Sequence, residues 1–162
     1  MVFKSIAMAV IAACLLVPTA SAFDYSGLRS GMSFAEVSAA AERAGLQPLE
    51  PAKNVPGLYT LGPPHLSTVN MTFCADRLFA LTSAPQGGVD AFAQLTKEMV
   101  AGYGNPVVQP ISSYTETGLL STVRMEWAVE GGETVALDIT SYGGKITVAR
   151  MYSAFDVLCP KP

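Results

Sequence analysis

Apolar residues recur along this chain with three spacings, and each predicts a different kind of segment. Residues 6–17 are apolar without a break, preceded by Lys4 and ended by Pro18. Phe34, Val37, Ala41 and Ala44 repeat at intervals of three and four, which places them on one stripe of a helix. Val123, Met125, Trp127 and Val129 alternate with Arg124, Glu126, Ala128 and Glu130, which places them on one face of a strand.

The first helix is predicted over 34–44. Ser33 and Glu36 have the spacing of a capping box, Met32 and Val37 that of a hydrophobic staple, and Gly45 supplies a left-handed stop. A second helix is predicted over 90–103, capped by Asp90, with Phe92, Leu95, Thr96, Met99 and Tyr103 on its buried face. Gly104 and then Asn105-Pro106 end it.

The alternating runs predict hairpins. Val69, Met71 and Phe73 alternate with Asn70 and Thr72, and Ala75-Asp76-Arg77 turns the chain into a strand over 78–83. Gly131-Gly132 turns the strand 123–129 into Val135, Leu137 and Ile139, and Gly143-Gly144 turns the chain again into 146–152. The expected fold is α+β: two helices packed on one face of a roughly five-stranded antiparallel sheet. Its core face carries Val123, Met125, Trp127, Val129, Val135, Leu137 and Ile139. If Trp127 pairs with Leu137, Glu126 stands opposite Asp138 on the open face, with Arg124 beside them.

The two halves repeat one another. Phe34-Ala35-Glu36-Val37-Ser38 matches Phe92-Ala93-Gln94-Leu95-Thr96, and the eight residues from Leu66 to Phe73 match those from Leu120 to Trp127. This predicts a degenerate tandem repeat over about 33–83 and 91–142. Gly31-Met32-Ser33-Phe34-Ala35-Glu36-Val37 resembles the helix-opening motif of the small outer-membrane-assembly lipoproteins. It is also similar to β-lactamase-inhibitory-protein-like modules, tandem α+β units with helices on one face of an antiparallel sheet. Tyr103-Gly104-Asn105-Pro106 resembles the helix exit of such modules. The resemblance implies a periplasmic protein that works by binding other proteins, and it assigns no contact residues.

Composition and cysteine usage agree with export. One lysine, a short apolar run and Ala20-Ser21-Ala22 make the three parts of a secretory signal peptide over 1–22, leaving a single domain over 23–162. The run is shorter than the roughly 20 residues a bilayer span needs. Ile11-Ala12-Ala13-Cys14 also resembles a lipoprotein cleavage box, whose cysteine would be lipidated and would hold the protein in the envelope. The apolar residues that follow Cys14 weigh against that reading. Past the leader stand Cys74 and Cys159, an even pair that in an exported protein predicts a disulfide worth ~4–5 kcal/mol by loop closure. The net charge of −3 argues against a nucleic-acid partner.

No catalytic or cofactor motif is visible. The lone histidine, His65, has no orienting or ligating partner in sequence. The methionines fall at core spacings or in the leader rather than in a metal-binding cluster. The residues with the best case for a site are Arg124, Glu126 and Asp138 on the open sheet face. They support two readings: a docking surface for another envelope protein, or a carboxylate pair, Glu126 and Asp138, doing acid–base work in a hydrolase.

Overall fold

The computed structural model describes residues 24–46, 49–52, 55–61, 68–116, 118–129, 131–154 and 159. The leader, with Cys14, and His65 lie outside them. A short antiparallel ribbon, β1 (Asp24–Tyr25) and β2 (Leu28–Arg29), precedes α1 (Phe34–Arg43). Then follow β3 (Glu50–Pro51), β4 (Leu58–Leu61), β5 (Thr68–Cys74), β6 (Arg77–Ala84), α2 (Gly88–Tyr103), β7 (Val107–Thr115), β8 (Gly118–Val129), β9 (Glu133–Tyr142) and β10 (Lys145–Ser153). Strands β3 to β10 form one eight-stranded sheet in the order β3-β4-β5-β6-β10-β9-β8-β7. All its pairings are antiparallel. The α+β class and the two helices are as expected, but the sheet has eight strands rather than about five. The additions are β3, β4 and β7. The first two are very short, and β7 lacks alternation and contains Pro110.

Each helix starts for a local reason. Ser33 N–H donates to the Glu36 carboxylate at 2.7 Å and Glu36 N–H donates to Ser33 Oγ at 3.3 Å, so the capping box is complete. Phe34 N–H is taken by Asp76 Oδ1 at 3.2 Å, a carboxylate from the β5–β6 turn set against the positive end of α1. Helix α2 begins at Gly88, two residues before the expected start, and its cap is Gly87. Asp90 is therefore not the cap. It lies in the first turn, where its charge still meets the helix dipole favourably.

Both helices pack on the same sheet face. Val37 and Ala41 of α1 and Met99 of α2 join Leu61, Met71, Leu78, Leu81, Trp127, Val135, Leu137 and Val148 in one buried cluster. Trp127 Nε1 donates to Gly104 O at 2.8 Å, so the residue that ends α2 is bonded to the C-terminal part of β8. Gly104 adopts φ +81° and ψ −153°, a positive-φ conformation that suits glycine. Cys74 at the end of β5 and Cys159, 85 residues later, form a disulfide with Cα atoms 5.8 Å apart. That ties the end of the chain to the turn that caps α1.

Burial falls off along the strands. Trp127 and its cross-strand partner Val135 are buried, as is Leu137 opposite Met125. One step further, Ile139 is half-buried and Val123, its partner, is 38 % exposed. The expectation that Val123 belongs to the core is thus corrected: it lies on the core face but beyond the helices. Trp127→Ala should destabilise the domain by about 3–5 kcal/mol, through lost burial and the orphaned Gly104 carbonyl. Val123→Ala should cost less than about 1 kcal/mol. Urea titrations of both variants check the difference, and equal costs would mean the helices cover the whole face.

Candidate functional site

The three residues singled out on the open face do not sit as the sequence suggests. Val129 pairs with Glu133 across the β8–β9 turn, so the register runs two residues away from the one expected. Trp127 faces Val135, Glu126 faces Ala136, and Asp138 faces Arg124. The carboxylate pair is therefore not formed. Gly131 and Gly132 turn the chain at φ +93° and +81°, and Glu133 is drawn into the strand instead of the loop.

Arg124 and Asp138 form a two-pronged ion pair, Nε to Oδ1 at 2.9 Å and an Nη to Oδ2 at 2.8 Å. The pair holds the guanidinium pKa above its ordinary value, chiefly through the bond to Asp138, with Glu126 adding to it. Asp138 is 8 % exposed although no helix covers it, because neighbours on its own face close over it. Met151 Sδ stands 3.7 Å from the same Nη. Further polar groups on this face also bond to one another: Thr122 to Thr140 at 2.9 Å, and Thr60 to Asn70 at 3.2 Å. The face binds itself, and Arg124 and Asp138 hold two strands in register.

Two buried polar groups on the helix side were not legible in the sequence. Glu133 is 7 % exposed, accepts from Ser30 Oγ at 3.2 Å, and has Oε2 without a partner among the described residues. Burial raises its pKa, partly offset by the Ser30 bond. Arg150 lies over the rings of Tyr25 and Tyr152, at 4.9 and 5.6 Å, with Nε buried and unbonded among the described residues. A cation on aromatic faces is stabilised without a counter-ion. Both groups hold the β1–β2 ribbon against the sheet.

The clefts carry little chemistry. One of about 340 Å³ beside α1 is lined by Phe34, Ser38, Glu42, Leu46 and Leu49. Another, of about 410 Å³, is lined by Phe34, Gly57, Tyr59, Phe73 and Asp76. Each offers a single carboxylate. Among the described residues no cluster of His, Cys, Asp and Glu could hold a metal ion, and no helix is long and apolar enough to cross a membrane.

The surface with the strongest unmet demand is the end of the sheet beyond α2. A groove of about 290 Å³ runs there between Pro110, Ser112, Ser121, Thr122, Val123, Ile139, Ser141 and Ile146. Val123 and Ile146 are 38 % and 47 % exposed, and Val108 beside Met125 is 52 % exposed. The lining is apolar with a rim of hydroxyls and contains no charged side chain. The sequence signal for it was present, since Val123, Ile139 and Ile146 follow the core alternation. Only the lengths of the helices decide that they stay uncovered.

Two predictions separate the structural carboxylates. Asp138→Asn should cost about 1–2 kcal/mol by leaving Arg124 half-paired, a value reduced by the partial exposure of that guanidinium. Glu126→Gln should stay within about 0.5 kcal/mol. Thermal melts at neutral pH test the contrast, and equal losses would place Glu126 in the same ion pair. For Glu133 the fold favours the protonated acid. Its contribution is present below the ordinary carboxyl range and is lost as pH rises through the raised folded value. Glu133→Gln should therefore melt above the parent at about pH 7–8, with the gap closing towards about pH 4. A gap that is constant with pH would mean that Glu133 does not titrate in this range.

Compared with protein-family models, with curated proteins and with solved structures, the chain matches none.

Proposed function

We propose that this protein is an exported, non-enzymatic binding module that docks another envelope protein on the uncovered end of its sheet. The observation that carries the reading is the uncharged groove between Val123, Ile139 and Ile146, apolar within and hydroxyl-bearing at its rim. Exposed apolar surface of this kind is the mark of a protein-docking face, whereas an active site needs convergent titratable groups. The polar groups of the opposite face are paired with one another, so that face offers a partner less. The signal-peptide pattern of residues 1–22 supplies the compartment, and the lipoprotein- and inhibitor-like motif at Gly31–Val37 favours the same function.

The test is site-specific photo-crosslinking in the periplasm of a bacterial host of suitable envelope. A photoreactive residue at Val123 or Ile146 should yield one discrete adduct with an envelope protein. The same probe at Thr140, on the opposite face, should not. Val123→Glu should abolish the adduct formed from position 146 while leaving the melting temperature within about 2 °C of the parent. Equal labelling from both faces, or none from either, would refute the reading.

A further inference from the structure

The sheet has two edges, and they differ. At one end β3 contributes only Glu50 and Pro51, too short to template a neighbour and blocked by proline. At the other, β7 contributes nine residues, all exposed and none charged at neutral pH. Among the described residues no strand lies on its outer side. Natural edges are blunted by brevity, by charge or by proline, and β7 has only the last, at Pro110.

The register identifies which peptide groups are open. Thr115 pairs with Gly118 at the hairpin end, and the pairing runs without a slip to Val107 opposite Glu126. A pair separated by two turn residues exchanges both backbone bonds, and bonded and unbonded pairs then alternate along the ladder. Odd-numbered residues of β7 therefore bond to β8, while Val108, Pro110, Ser112 and Tyr114 turn their peptide groups outward. Pro110, which has no N–H, falls in the outward set, where it takes no bond from β8.

We propose that β7 is a homodimerisation edge. A second copy pairs its own β7 antiparallel about a two-fold axis at Ser112, joining the two sheets into one. In this register each Ser112 exchanges two backbone bonds with its counterpart. Each Tyr114 N–H donates to the Pro110 carbonyl of the other copy. The donor that proline lacks is then missed only where Pro110 faces Tyr114. There the Tyr114 ring, 88 % exposed in the single chain, lies against the opposite proline.

A second copy suits this edge better than a charged partner strand. The strand meets itself without juxtaposing charges, although the whole chain carries −3. Val107, Val108, Ile111 and Tyr114 of this strand are 63, 52, 41 and 88 % exposed, so joining the edges covers apolar side chains as well as peptide groups. Edge pairing covers only part of that surface, at the low end of the range for specific association, which predicts a weak, reversible dimer. The inference goes beyond the docking groove: it uses the outward peptide groups of the strand edge, although the Pro110 and Ser112 side chains also line that groove.

Sedimentation velocity of the purified protein over about 1–200 µM should show a monomer–dimer equilibrium that saturates at the dimer. Ser112→Pro deletes the central outward donor and leaves the β8 ladder intact. It should be monomeric throughout, with unchanged circular dichroism and melting temperature. Ser112→Cys should crosslink to a dimer on mild oxidation, because the two residues face each other, whereas Gln109→Cys should not. If Ser112→Pro melts early, this cysteine pattern decides. A parent that stays monomeric at about 200 µM, a dimer unaffected by Ser112→Pro in a folded chain, or equal crosslinking from both cysteines would overturn the proposal.

Discussion

Two helices must cover one face of an eight-stranded sheet, and they are too small to do it. Helix α1 has 10 residues and α2 has 16, lengths of about 15 and 24 Å. The sheet is about 34 Å across, and its longest strand, β8 with 12 residues, runs about 40 Å. The disulfide, the Arg150 cation–π stack and the β1–β2 ribbon extend the cover at one end. At the other, where β7 to β10 outrun α2, the core face continues with no cover among the described residues. The groove at Val123 follows from that mismatch of lengths.

The open face solves a different problem. A sheet face without helices has to satisfy its own polar groups and shield its centre from water. Here cross-strand pairs do both: Arg124 with Asp138 and Thr122 with Thr140 bridge β8 and β9, and Thr60 with Asn70 bridges β4 and β5. Charges placed in this way serve register more than chemistry, because a slip of two residues would set Glu126 against Asp138 and leave Arg124 without its partner. The apolar groove and the paired polar face are two sides of one sheet.

The sequence alone determined the parts of the structure that rest on local or periodic signals. The capping box fixed the start of α1 at Phe34, and alternation located β5, β6, β8, β9 and β10 and the face each turns to the core. The even cysteine count gave the disulfide. Tertiary structure decided what depends on the relation between elements. Strand β7 shows no alternation because, as an exposed edge, neither of its faces is selected for burial. The β8–β9 register turned on how many residues the glycine turn absorbs, and both counts keep Trp127 on the core face, so hydrophobic pattern could not choose between them. The burial of Glu133 and the seating of Arg150 depend on the ribbon folding back over them, a contact between segments more than a hundred residues apart. Whether Val123 is core or surface was set by how far α2 reaches over β8, because periodicity assigns a residue to a face but does not say what covers it.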